Sequence, residues 1–296
     1  MTQYAIPSSL RKGVVKGKHP TRVLVSCQIP LICSRTPGFQ FTVVKTVIFA
    51  SRLLKCSACR EEWRVLKTRA VLFDMGGTLV FATCSESETF RRILRSVGIT
   101  RTKRDIEEAL SKAKKELDAE GFAEQFGKIP REEFWVRRDS RVLKHLEIDD
   151  QKREFARVLD LRWFDFANFK SYSDTQKTLQ RVRETGLKTG LISNGYEEEI
   201  RSVLSKAGLS TKMFDVVVGA DTTHERKPHR DIFAYALRKL QVKPEEAIFV
   251  GDRIDTDYEG AEEAGIRSLL ILREKPKTEL KETRTISRLS EIFNHI

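Results

Sequence analysis

The rhythm of apolar and polar positions changes near residue 67, and from there short apolar runs alternate with amphipathic stretches. RAVLFD (69–74) is an unbroken apolar run closed by an acid, the pattern of a strand buried on both faces. SETFRRILRSVGI (87–99) places Phe90, Ile93, Leu94 and Val97 on one helical face. From Thr100 to about Phe166 no strand pattern occurs; TKRDIEEALSKAKKELDAE, REEFWVRRDSRVLKHL and DQKREFARVLDLRWF all read as helices. The alternation then resumes, with helices over 173–186, 196–208, 229–240 and 255–265 and strands over 187–193, 214–220, 247–252 and 267–272. Strands and helices in this order predict an α/β fold whose core is a doubly wound parallel sheet covered on both faces, interrupted by an all-helical insertion.

Residues 1–66 carry no sustained pattern beyond a short apolar run at 41–50. Charge sets them apart as well. Of the net +12 of the 296-residue chain, +11 falls in residues 1–70, whereas residues 71–296 hold 41 basic and 40 acidic residues. The segment is expected to be a basic extension, disordered or not native to the folded protein. Two other readings stay open: a transit peptide, since the first sixty residues are rich in Arg, Lys and Ser and have no acid, and a basic arm for nucleic acid or membrane. The arm lacks the aromatic interleaving that stacking on bases requires, so nucleic acid is not expected as a partner, and only this segment could bind it.

Four of the five cysteines lie in that same segment. Cys56 and Cys59 have the spacing of a zinc half-site, but Cys27 and Cys33 are a poor second half, and no zinc is expected. With Cys84 alone in the main body, no disulfide framework is indicated, and a reducing cytoplasm is the expected compartment, or an organelle if residues 1–60 are a transit peptide. The longest apolar stretch, at 41–54, is interrupted by Lys45 and is too short to span a bilayer, so no membrane partner is expected.

In parallel sheets of this kind, chemistry gathers at the carboxyl ends of the strands. Asp74 ends the first strand, Ser193-Asn194-Gly195 follow the run at 187–193, Gly251-Asp252 follow AIFV, and Lys227 precedes a helix. Each alone reads as a cap or a turn residue. Together, DMGGT, ISN, KP followed by DIF, and GDRIDTD resemble the four motifs of the haloacid dehalogenase-like (HAD) hydrolase superfamily. The resemblance spans roughly residues 67–295 and implies a Rossmann-like core over 67–84 and 167–296, with residues 85–166 as a helical cap inserted early.

The resemblance also implies roles. Asp74 would be the nucleophile, forming an aspartyl-phosphate; Ser193 would bind a transferring oxygen, and Lys227 would offset its charge. Thr78 and Asn194 would join Ser193 and Lys227 in binding substrate. Asp74, Asp252 and the backbone carbonyl of Gly76 would hold Mg²⁺, and Asp257 would orient this acidic corner. The expected activity is Mg²⁺-dependent hydrolysis of a small phosphorylated metabolite. A metal-independent dehalogenase-like hydrolase and a non-catalytic phosphate-binding protein are the alternatives.

One position departs from the pattern. Phosphatases of the superfamily usually carry an aspartate where this chain has Gly76, and that acid protonates the leaving group. Tyr196 and His224 are candidate replacements. Arg137, Arg138 and Arg141 read as solvated helix arginines rather than contacts to a second anionic group.

Overall fold

The computed structural model describes residues 67–274 and 283–296. The expectations for the first 66 residues, including the basic arm, the transit peptide and the Cys56/Cys59 pair, lie outside the described residues.

Six strands form the main sheet, in the order β5-β4-β1-β6-β7-β8 and all parallel. They are β1 (Ala70–Phe73), β4 (Lys188–Ile192), β5 (Val216–Val218), β6 (Ala247–Gly251), β7 (Arg267–Ile271) and β8 (Thr285–Ile286). β1 sits at the centre, its four residues fully buried, because its side chains supply both faces. Val71 and Phe73 point into an apolar cluster beneath α5 (Thr175–Glu184) and α6 (Glu197–Lys206). Ala70 and Leu72 point into a second cluster beneath α7 (Arg230–Leu240) and α8 (Glu259–Glu263). The continuous apolar runs of the sequence follow from this double coverage.

The chain fills one side of β1 with β4 and β5, then returns to the other side with β6, β7 and β8. The order therefore reverses between β1 and β6, where sheets of this kind place their ligands, and Asp74 and Asp252 follow those two strands.

A two-stranded antiparallel ribbon, β2 (Val80–Ala82) with β3 (Phe169–Ser171), carries the chain out of the sheet region and back. Between them lie α1 (Glu86–Ser96), α2 (Lys103–Ala119), α3 (Arg131–His145) and α4 (Glu154–Phe166). Local signals start these helices. Ser85 Oγ accepts the amide of Glu88, and Thr102 and Asp105 form a reciprocal capping box. Ile106, Ala109, Ala113 and Leu117 then recur on the inward face of α2. The four helices enclose an apolar core of their own, with Phe90, Ile93, Leu143 and Leu159 among its fully buried members. A smaller cluster joins Phe122, Phe126 and Phe134 of the helical insertion to Tyr196 and Ala220 of the sheet region.

Candidate active site

The loop after β1 folds back tightly, since the carbonyl of Met75 accepts the amides of both Leu79 and Val80. Gly77 has φ +76, and a Cβ there would lie 2.2 Å from Oδ2 of Asp252, so glycine is required on both counts. Gly76 is different. It has no positive φ, and no heavy atom lies within 4 Å of the position a Cβ would take.

Asp74 is buried, and its backbone amide is held by the carbonyl of Val250. The Lys227 ammonium donates to Asp74 Oδ1 at 2.5 Å and to Asp257 Oδ1 at 2.7 Å, with 2% of the lysine side chain exposed. Asp257 in turn accepts the amide of Arg253 at 3.1 Å. A Cβ on Gly251 would collide with that carboxylate at 2.5 Å, which accounts for the glycine before Asp252. The Lys227–Pro228 peptide is cis.

Asn194 fixes the lysine from behind. Its Oδ1 accepts the Lys227 amide at 2.7 Å, and its Nδ2 donates to the Lys227 carbonyl at 3.0 Å, so both ends of the side-chain amide are committed to protein. Ser193 is buried and its Oγ accepts the amide of Gly195 at 3.3 Å, leaving the hydroxyl proton available.

Carboxylate oxygens of Asp74, Asp252 and Asp257 lie within 4.8 Å of one another. One lysine faces three acids. Burial raises the pKa of Asp74 to about 7; Lys227 opposes this, while Asp257 and Asp252 add to it. Burial and then Asp257 raise Asp252 as well. Lys227 is held above its ordinary value, since burial lowers it but Asp74 and Asp257 outweigh that. Hard oxygen donors with excess negative charge fit a small divalent cation.

Thr78 is fully buried, and its Oγ1 has no partner. Its carbonyl accepts Nη2 of Arg273, which is also bound to Asp174 at 2.8 Å and lies 3.9 Å over the ring of Tyr172. Asp174 further accepts the amide of Leu289. Arg273 thus braces the Asp74 loop against the carboxyl-terminal segment. The sequence offered only an arginine after an apolar strand, and no motif marked it.

The candidate replacement acids are turned away. Tyr196 Oη, 1% exposed, accepts the amide of Gly127 at 3.1 Å and donates to the carbonyl of Ile129 at 3.2 Å, so its proton is already used. His224 Nδ1 lies 2.8 Å from the carbonyl of Gly127. Of the three arginines read as solvated, Arg141 pairs with Glu116 and Glu120, and Arg137 with Glu133. Arg138 does not fit that reading, because its side chain is 19% exposed and packs 4.4 Å over Trp135.

Residues 68–265 match the profile of the haloacid dehalogenase-like hydrolases, and the chain belongs to that family. A glyceraldehyde 3-phosphate phosphatase of Methanopyrus kandleri is 31% identical over 70% of this chain and 85% of its own length. A phosphoglycolate phosphatase of Aquifex aeolicus is 28% identical over 69% and 84%. Among solved structures, a HAD phosphatase from Thermococcus onnurineus is similar at 26% identity with a TM-score of 0.52, covering 77% of this chain and 97% of that one. Among the described residues, no helix is long and apolar enough to cross a membrane.

Proposed function

We propose that the chain is a Mg²⁺-dependent phosphatase of a small phosphorylated metabolite, acting through an aspartyl-phosphate on Asp74. The observation that carries this reading is the buried lysine shared by Asp74 and Asp257, beside a third carboxylate at the end of the neighbouring strand. The names of the relatives, phosphatases of glyceraldehyde 3-phosphate and of phosphoglycolate, support the substrate class.

Asp74 attacks phosphorus, the bond to the leaving oxygen breaks, and water then cleaves the acyl phosphate to regenerate the carboxylate. Lys227 opposes the effect of burial by favouring the ionised form of Asp74 and offsets charge on the transferring group, while Ser193 donates its free hydroxyl proton to a phosphoryl oxygen. Asn194 serves by holding the lysine loop, and Asp257 by aiming the ammonium. Thr78, whose hydroxyl is unpartnered, completes the substrate loop. Asp74, Asp252 and the Gly76 carbonyl would hold Mg²⁺, which as a Lewis acid stabilises charge on phosphoryl oxygens. Residues 85–166 form the cap over this site.

A dehalogenase attacks carbon with no need for metal, and the acidic corner would repel a haloacid's carboxylate. Phosphate release from a panel of phosphorylated metabolites, with and without EDTA, separates the two. Metal-dependent phosphate release supports the proposal, and metal-independent halide release defeats it.

A further inference from the structure

Glycine at position 76 leaves two duties without a side chain: protonating the departing oxygen, and taking a proton from the attacking water. The other polar groups of the site are committed elsewhere. Asp257 accepts the Lys227 ammonium on Oδ1 and the Arg253 amide on Oδ2. Lys227 directs its protons at Asp74 and Asp257, and giving one up would leave two buried carboxylates without their counter-charge. Asp74 is the nucleophile, and Asp252 lies against the Gly77 turn as a metal ligand in the phosphatase reading. Among the described residues, no fourth acid, histidine or cysteine joins the cluster of these three carboxylates. Tyr196 and His224 are both held by Gly127.

A phosphoryl group on Asp74 is itself an acyl phosphate. Its arrival from a carboxylate, or its return to one, exchanges one carboxylate for another at phosphorus, so the two sides are nearly equal in energy and no proton moves in either direction. Attack by water differs, because the proton it loses meets no acceptor, and departure of an alkoxide differs because it meets no donor. General acid–base help of that kind is worth about 10²–10⁴ in rate. All of it is missing from ester cleavage and from the water step, and none of it from carboxylate exchange. The Ser193 hydroxyl and the Lys227 ammonium serve the phosphoryl oxygens in every case, since neither role transfers a proton.

We propose that the substrate of this site carries its phosphoryl group on an acidic oxygen, a carboxylate or a phosphate, and that Asp74 passes the group back to such an oxyanion faster than to water. The chain is then a phosphotransferase between oxyanions as well as a hydrolase. The inference rests on the phosphatase reading for the aspartyl-phosphate itself. In the first step the bond from the Asp74 carboxylate to phosphorus forms as the bond to the substrate carboxylate breaks, and the electron pair leaves with that carboxylate. In the return step another carboxylate attacks phosphorus, and the pair goes back to Asp74. The compounds named for the relatives, glyceraldehyde 3-phosphate and phosphoglycolate, are alkyl esters whose departing oxygen needs a proton, and they fall outside this class.

The test is isotope exchange. The full-length chain with Mg²⁺ turns over acetyl phosphate in excess radiolabelled acetate, and the rate at which label enters acetyl phosphate is compared with the rate of phosphate release, each corrected with Asp74→Asn for reaction outside the site. Label should enter faster than phosphate leaves, and glycerol 3-phosphate should be cleaved at least about 100-fold more slowly than acetyl phosphate. Gly76→Asp should lower the ratio of exchange to release about tenfold or more, since the new carboxyl helps the water step alone. If that variant does not fold, the wild-type ratio decides by itself. Label entering more slowly than phosphate leaves, or glycerol 3-phosphate cleaved as fast as acetyl phosphate, overturns the inference and leaves the phosphatase reading standing. Absence of phosphate release from both compounds defeats the phosphatase reading and this inference with it.

Discussion

Restoring a carboxyl at position 76 tests how the site handles its leaving group. Gly76→Asp adds a side chain where no heavy atom lies within 4 Å of the new Cβ and where φ is not left-handed, so the loop accepts it. Asp74, Asp252 and Asp257 already crowd one another, and like charges raise the new acid's proton affinity, which favours the protonated form a general acid needs. General acid help is worth about 10²–10⁴ in rate, and its full value appears only when the departing oxygen needs a proton. The lower end applies, since the position is not tuned by evolution in this chain: about 100-fold in kcat/KM for alkyl esters, and within about threefold for acyl phosphates. The assay is phosphate release across monoesters of rising leaving-group pKa. Rates should fall steeply with pKa in the wild type and less steeply in the variant. Equally shallow slopes in both would refute the reasoning, because some other group would be supplying the proton. Loss of all activity in Gly76→Asp would show that the loop requires glycine despite the open space.

The neighbouring Gly77→Ala should behave in the opposite way. Its Cβ meets Asp252 at 2.2 Å in a left-handed backbone, and chemical denaturation should show a loss of at least about 1–2 kcal/mol together with a weakened Mg²⁺ titration. Wild-type stability and metal response would contradict the packing described. Arg273→Met frees the Thr78 carbonyl and should lower kcat about tenfold with little change in KM, as expected for a brace on the nucleophile loop; a rise in KM alone would place Arg273 in substrate binding instead. For Asp139, burial raises the pKa to about 6 against the pull of Arg138, so the native state holds a proton that the unfolded chain has released. Stability from this group is present below about pH 4 and lost as pH rises through 6, by roughly 3 kcal/mol. Asp139→Asn should flatten that slope in pH-dependent unfolding, and an unchanged slope would assign it to other groups.

The sheet was legible because β1, β4, β6 and β7 are covered on both faces and so read as apolar runs. The helical insertion was legible from its amphipathic period, and Ser85 and Thr102 start its first two helices close to where the pattern begins. The β2–β3 ribbon was not, since each strand has three residues and its partner stands about ninety positions away. β8, with two residues, carries no period at all. Asp74, Ser193, Lys227 and Asp252 stood out by ending strands or opening helices, a local property. Arg273 did not, because what it touches is fixed only when distant segments pack. The same limit applies to Arg138, whose burial depends on Trp135 and Trp163 closing around it.

The central claim is that Asp74 takes the phosphoryl group, and acid quenching of the full-length chain during turnover of a small acyl phosphate with Mg²⁺ tests it most directly. The account predicts one phosphoryl group per chain, mapped by mass spectrometry to the peptide containing Asp74. Asp74→Asn should show neither the adduct nor phosphate release, since the amide keeps the shape and loses the attacking charge. A phosphoryl group on another residue, or turnover by Asp74→Asn comparable to that of the wild type, would contradict it.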